Sequence, residues 1–92
     1  RQYLAEAERL RLRVQAEQEA RVRTSVGVHE LDGGNPEAAL VSFRAAIAAF
    51  EGFAPAHYHM GRALQGLGRH DAARAAFARA QQLNPSLLPP PR

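Results

Sequence analysis

Apolar and charged side chains alternate along the first third of the chain with helical spacing, and nothing interrupts them. No proline or glycine precedes Gly27. Both residue types are unfavourable inside a helix, so their absence predicts one continuous helix from about residue 2 to residue 32, on the order of 45 Å long. Glutamate precedes arginine by four residues in the pairs Glu17/Arg21 and Glu19/Arg23, which indicates a solvated helix face.

One side of this predicted helix is apolar near its start. Its 4-3-4 spacing defines an N-terminal seam that consists of Tyr3, Ala7, Leu10 and Val14. A seam of two heptads packs on the chain's own following helices, on neighbouring sequence of a longer protein, or on the same helix of a second chain. The sequence leaves these alternatives open.

From residue 20 onward the pattern recurs after 34 positions. Seven residues have an identical counterpart: Ala20, Gly27, Gly34, Ala38, Ala39, Phe43 and Ala46 match Ala54, Gly61, Gly68, Ala72, Ala73, Phe77 and Ala80. The glycine and phenylalanine matches carry the most weight, because alanine is abundant in this chain. We therefore predict two tandem units, residues 20–53 and 54–87, between an N-terminal helical extension (1–19) and a proline-rich tail (88–92).

A glycine-rich turn divides each unit into two helices. In the first unit Asn35 and Pro36 follow two glycines; asparagine is a favoured N-cap, and proline is tolerated at the first helical position. In the second unit Gly66 and Gly68 interrupt the helix, and Asp71 falls in the first turn of the next one, where its charge suits the helix dipole. No stretch has the pattern of a strand, so the predicted fold class is all-α.

Two glycines fall inside predicted helices, where glycine is about 1 kcal/mol less favourable than alanine. A close approach between helices would offset this cost at Gly27 and Gly61. The phenylalanines Phe43 and Phe77 lie between alanines on one helix face, so each ring is expected to fill the space that the small residues leave.

The 34-residue period and the order of its glycine, alanine, phenylalanine and proline residues resemble the tetratricopeptide repeat. The second unit fits the family's pattern at Met60, Gly61, Leu64, Gly68, Ala73, Phe77, Ala80 and Pro85. The first unit fits at Gly27, Gly34, Ala39, Phe43 and Ala46. Departures from the pattern stand at Arg23, Glu30, Glu51 and His57.

This resemblance implies antiparallel helix pairs in a short right-handed superhelical array, preceded by the long helix. It also implies a concave groove, lined mainly by the first helix of each unit, that binds a peptide or a partner helix. The expected groove residues are Arg21, Thr24, Ser25 and Val28 from the first unit and Tyr58, His59, Arg62 and Gln65 from the second.

The charge of the chain gives little support to nucleic-acid binding. All twelve basic residues are arginine, yet the net charge is only +3. Glutamates are interleaved with Arg9, Arg11 and Arg13, and no aromatic platform accompanies them. The abundance of alanine and arginine without lysine indicates a bacterial-like genomic base composition. Nucleic acid is therefore the least favoured partner.

The residues offer no site for catalysis or for a cofactor. The chain has no cysteine, which excludes disulfides, thiolate metal sites and thiol catalysis and leaves the compartment open. His57 and His59 are two positions apart and point to different sides of a helix, so no metal is predicted. The serines lack the partners of a catalytic triad. No apolar run approaches the roughly 20 residues that cross a bilayer, so a soluble chain with no membrane partner is predicted.

We therefore predict a non-enzymatic protein–protein interaction module, with a homo-oligomerisation unit, a homodimer or higher, as the alternative. Two units are fewer than the three that usually give a stable stack, and the tail prolines leave no capping helix. The outer side of the second unit, near Leu83, Leu87 and Leu88, is thus expected to stay exposed and to favour self-association. Because the chain begins at Arg1 rather than methionine, we expect a processed product or a piece of a longer protein.

Overall fold

The computed structural model describes residues 2–87, which form four α-helices and no strand. The helices are α1 (Gln2–Asp32), α2 (Pro36–Ala49), α3 (Ala54–Gly66) and α4 (His70–Leu83). Arg1 and the predicted proline-rich tail lie outside the described residues. The all-α fold class and the unbroken first helix are confirmed. α1 packs mainly on α2 and α3 mainly on α4, while both α1 and α2 contact α3.

The turns form where the sequence places them. Asn35 caps α2, since its Oδ1 accepts a hydrogen bond from the Ala38 N–H at 3.2 Å, and Pro36 is the first residue of the helix. Gly34 and Gly68 have φ angles of 86° and 77°. Only glycine adopts this left-handed conformation without a steric cost, so a glycine of the same kind forms the turn in both helix pairs.

Within each helix pair a glycine faces a phenylalanine ring. A Cβ added to Gly27 would lie 2.4 Å from Cε1 of Phe43, and one added to Gly61 would lie 2.7 Å from Cε1 of Phe77. Any side chain at either position would collide with the ring. These contacts confirm that close helix packing offsets the low helix propensity of both glycines.

Two departures from the family pattern are accommodated by hydrogen bonds. The Ser42 hydroxyl donates to Oε1 of Glu30 at 2.5 Å, which links α1 to α2. His57 is buried, and its Nε2 donates to the backbone carbonyl of Glu51 at 2.8 Å. Buried polar groups destabilise a fold only when they lack such partners, so neither residue disrupts the packing.

The first half of α1 projects away from the other helices. Residues 2–15 are all exposed, and Tyr3, Leu10 and Val14 retain 70%, 63% and 59% of their accessible surface. α2 has 14 residues against 31 in α1, so it covers only the second half of the long helix. The alternative in which the N-terminal seam packs on the chain's own helices is therefore wrong.

The ion pairs on α1 differ in part from the prediction. Glu19 and Arg23 pair at 3.5 Å as expected. Glu17 instead pairs with Arg13, one turn earlier, at an N–O distance of 3.1 Å, so the predicted pair with Arg21 is wrong. Exposed pairs of this kind contribute at most about 1 kcal/mol, so either partner is energetically accessible to Glu17.

The C-terminal end of the helical stack carries a polar face. Leu40, Ile47 and Phe50 of α2 lie in the clusters that join α2 to α3. Their counterparts 34 positions later on α4 are Arg74, Gln81 and Asn84. These side chains can remain in water, and Leu83 and Leu87 are half-buried. Leu88 lies outside the described residues. At the described positions the C-terminal side is polar, which differs from the expected apolar side.

Candidate interaction groove

An open cleft of about 430 Å³ lies between α1 and α3, and we call it the α1–α3 groove. Its lining residues are Arg21, Thr24, Ser25, Val28, Phe53, Pro55 and His59. The α1 residues are spaced by three and four positions, which places them on one face of the helix. Phe53 precedes α3 in an extended conformation, and Pro55 stands in the first turn of that helix.

Five of the eight predicted groove residues line this cleft together: Arg21, Thr24, Ser25, Val28 and His59. Their role in binding stays a prediction. The Thr24 hydroxyl is already occupied, because it donates to the backbone carbonyl of Ala20 at 2.7 Å and is buried. Arg21 and Ser25 are exposed, so they supply the polar groups that a ligand can reach.

The other three predicted residues lie elsewhere. Tyr58 packs edge-on against Phe77 with ring centroids 5.5 Å apart, so it joins α3 to α4. Arg62 lies 3.7 Å from Asp32 at the end of α1. Gln65 belongs to a second cleft, which it shares with His70, Ala73, Arg74 and Phe77 at the C-terminal end.

His59 forms an aromatic wall of the groove, and its surroundings favour the neutral ring. Arg62 Nη1 donates to His59 Nδ1 at 3.1 Å, which requires an unprotonated Nδ1, because arginine has no acceptor. Burial, followed by the charge of Arg62, lowers the pKa of His59 below 6.5, while Asp32 opposes the shift. The ring stacks on Phe43 with centroids 5.9 Å apart, so it connects the groove to the core.

A family model described as tetratricopeptide repeat matches residues 30–87. This chain belongs to the tetratricopeptide repeat family. The resemblance inferred from the sequence is thus confirmed over more than half of the chain. Tetratricopeptide repeats generally serve as non-enzymatic interaction modules. Comparisons with curated proteins and with solved structures gave no match.

Two lining residues of the α1–α3 groove were not predicted from the sequence. Phe53 and Pro55 were not predicted there, although both line the cleft. For Phe53 the available signal was the 34-residue period, which pairs it with Leu87. Each unit therefore ends on an apolar residue. Residues between helices are harder to assign to a surface, because helical spacing does not fix their direction.

The remaining features of this tetratricopeptide chain concern metals and membranes. Within residues 2–87, no three or more histidine, cysteine, aspartate or glutamate side chains are grouped in a way that could hold a metal ion. In the same part of the chain, no helix is both long and apolar enough to span a bilayer.

Acidification is expected to destabilise the tetratricopeptide fold through His59. Its folded-state pKa lies below 6.5, so at lower pH the unfolded chain binds more protons than the folded one. The free energy of unfolding should therefore fall as pH decreases from about 6.5 towards the folded-state pKa.

Urea melts above and below this range should show a smaller decrease in the free energy of unfolding for His59→Gln than for the parent. His29→Gln, at an exposed site on α1, is the matched control. Equal pH dependence in His59→Gln and the parent would contradict the assignment.

Proposed function

We propose that this chain is a non-enzymatic interaction module whose α1–α3 groove binds an extended segment or a helix of a partner protein. The observation that supports this proposal is the combination of an apolar cleft with one accessible cation. Val28, Phe53 and Pro55 supply apolar surface, and Arg21 stands exposed beside them. Such a cleft fits a segment that presents an apolar side chain next to a carboxylate.

The two arginines near the groove differ in their availability. Arg62 is held by His59 and Asp32, and it ties α3 to the end of α1. Arg21 forms no ion pair within residues 2–87, because Glu17 pairs with Arg13. A guanidinium with free donors forms strong charge-assisted hydrogen bonds with a carboxylate. Arg21 is thus the proposed anchor for the acidic group of the partner.

Tyr58 and Arg62 have structural roles that make them poor probes of binding. Tyr58 contacts Phe77, and Arg62 contacts His59, so alanine at either position would disturb the packing of α3. Arg21 and Val28 both line the groove from α1. Arg21 is the cleaner probe because it is exposed, whereas Val28 is half-buried and also packs against the cluster that contains Phe43.

Random peptides displayed on phage and selected on this chain provide the test. We expect the selected peptides to combine a large apolar residue with a neighbouring aspartate or glutamate. Val28→Glu should abolish their binding, since it places a carboxylate in the apolar part of the cleft, where it repels the acidic residue of the peptide. Arg21→Ala should weaken it by about tenfold or more, the effect of one charge-assisted hydrogen bond.

Val22→Glu is the matched control for Val28→Glu. Val22 is on the same helix and is 57% exposed, but it is not among the lining residues of the groove. Binding should survive this change, and circular dichroism should show equal helicity in both variants. Peptides that bind Val28→Glu as well as the parent would contradict the proposed site.

Nucleic acid is a less suitable partner for this surface. Three arginines of α1 are already paired with glutamates on the same helix: Arg11 with Glu8, Arg13 with Glu17, and Arg23 with Glu19. Their charge is therefore largely compensated along the helix. Tight binding of random oligonucleotides with a steep salt dependence would contradict the proposal.

A further inference from the structure

We infer that two copies of this chain associate through the N-terminal seam, with their α1 helices antiparallel about a twofold axis. This inference is independent of what the groove binds. It rests on an apolar surface that the fold leaves uncovered, on the heptad phase of that surface, and on the charges beside it.

The uncovered apolar surface is concentrated on α1. Among the described residues, seven of the eight large exposed hydrophobic side chains belong to α1, and the eighth is Val41 of α2. Five lie in its projecting first half: Tyr3, Leu4, Leu10, Leu12 and Val14. Tyr3, Leu10 and Val14 share the face of the seam, Leu4 flanks it, and Leu12 lies on the opposite side of the helix. Contiguous apolar side chains that stay exposed on one helix face mark an interaction surface. The polar C-terminal face described above offers no comparable surface.

The heptad phase of the seam selects a register in which every seam residue meets an apolar partner. Ala7 and Val14 occupy a positions, and Tyr3 and Leu10 occupy d positions. In an antiparallel pair, a positions face d positions of the other helix. When Ala7 faces Leu10 of the second copy, Val14 faces Tyr3 of the second copy. The twofold axis repeats both contacts, which gives four layers of facing residues, so every seam residue of each copy is covered by the other copy.

The flanking charges agree with this register. Glu6 precedes the seam residue Ala7 and Arg13 precedes Val14, so both are at g positions. In the antiparallel register Glu6 lies beside Arg13 of the second copy, and this contact occurs twice. Arg13 already pairs with Glu17 of its own chain and lies over the Phe50 ring, so Glu6 is an additional partner for it rather than the first. Leu4 lies beside Arg11 of the second copy, whose aliphatic stem can cover it. The residues that flank the seam therefore suit this register on both sides of the interface.

A parallel pair is disfavoured by the continuation of the same face. The a and d positions after Val14 are occupied by Glu17 and Arg21. In a parallel, in-register pair each of them would meet its own copy, and like charges in a coiled-coil seam repel each other. The antiparallel register avoids both contacts, because its overlap ends near residue 15, where the exposed segment of α1 also ends.

The antiparallel dimer leaves both grooves open. The helices α2, α3 and α4 of the two copies lie at opposite ends, and the two α1–α3 grooves are on the order of 50 Å apart along the helix axis. An interface of two heptads lies at or below the roughly 1,000 Å² of a stable complex, so the dimer should form in a concentration-dependent equilibrium. Such a dimer is bivalent towards a partner that carries two binding segments.

Sedimentation equilibrium at increasing protein concentration tests the association. The parent chain should shift from monomer to dimer mass. Leu10→Lys should weaken the dimer by at least about tenfold, because it places a charge in both central layers. Val41→Lys is the matched control, since Val41 is 67% exposed and Leu10 is 63% exposed, and it should leave the equilibrium unchanged. A constant monomer mass for the parent up to about millimolar concentration, or an unchanged dimer in Leu10→Lys, would overturn the inference.

Disulfide crosslinking tests the direction of the helices. The chain has no cysteine, so each introduced thiol is unique. When Tyr3→Cys and Val14→Cys are mixed and oxidised, the antiparallel dimer should give mainly the mixed disulfide. Each variant oxidised alone should give little crosslinked product. A predominance of disulfides within each variant, in the mixture or alone, would show a parallel pair and overturn the proposed register.

Discussion

Replacing Phe43 with alanine is expected to lower the free energy of unfolding by about 3–5 kcal/mol. The ring is completely buried and packs with Ala39 and Ala63, and it lies against the backbone of Gly27. Ala39, Ala63 and Gly27 have no side chain that can move into the space that the ring leaves, so any filling of this space must come from the larger side chains around the cluster, which are Val28, Leu31, His59 and Met60. Because a small domain has a total stability of only about 5–15 kcal/mol, this change removes a large fraction of it.

Urea denaturation followed by circular dichroism measures this loss. Val41→Ala is the control, because Val41 is on the same helix and is 67% exposed. Its free energy of unfolding should stay within about 0.5 kcal/mol of the parent value. Phe77→Ala should be damaging but less so, since Phe77 retains 6% of its surface and borders the C-terminal cleft. A parent-like denaturation midpoint for Phe43→Ala would show that the ring does not hold the helices together.

Gly61→Leu is expected to destabilise the fold by about 1–3 kcal/mol or more. On an exposed helix the same change would stabilise by up to about 1 kcal/mol, because leucine has the higher helix propensity. Here the new Cβ would lie 2.7 Å from Cε1 of Phe77, so the buried ring must shift or α3 and α4 must separate. The sign of the effect therefore distinguishes close helix packing from intrinsic propensity, and thermal or urea melts measure it.

Gly66→Ala supplies the control for this change. Its Cβ would lie 3.7 Å from Cβ of Pro36, an ordinary contact, so stability should be unchanged or slightly higher. The double variant Gly61→Leu with Phe77→Ala gives a second check. The leucine can occupy part of the space of the missing ring, so the double loss should be smaller than the sum of the single losses. Additive losses would contradict direct contact between the two positions.

The two ends of the helical stack differ in a way that bears on assembly. The C-terminal helix α4 places Arg74, Gln81 and Asn84 where α2 places apolar residues. Repeat arrays need such polar outer faces at their ends to remain soluble. The exposed apolar residues of α1 are at the other end, which is why the proposed association involves α1 and not α4.

The sequence by itself determined the helices, their turns and the helix contacts that repeat every 34 residues. Proline and glycine act locally, so the absence of both before Gly27 was enough to predict α1, and Asn35 with Pro36 was enough to locate the start of α2. The matched Gly–Phe contacts were also predictable, because glycine is unfavourable inside a helix unless close packing leaves no room for a side chain. The groove residues of α1 followed from the resemblance to the family, and their spacing of three and four positions agrees with a single helix face.

Only the tertiary structure decided which surfaces meet. Spacing on α3 could not show that Tyr58 turns towards Phe77 of α4 while His59 stacks on Phe43 of α2 and lines the groove beside α1, because this depends on the rotation of α3 between its neighbours. Phe53 reaches the groove from a connection whose direction no helical period fixes. The N-terminal seam is apolar in the sequence, but its exposure follows from the length of α2, which is too short to cover it. Burial of a side chain depends on what lies opposite, and that is set by the packing of whole helices rather than by local sequence.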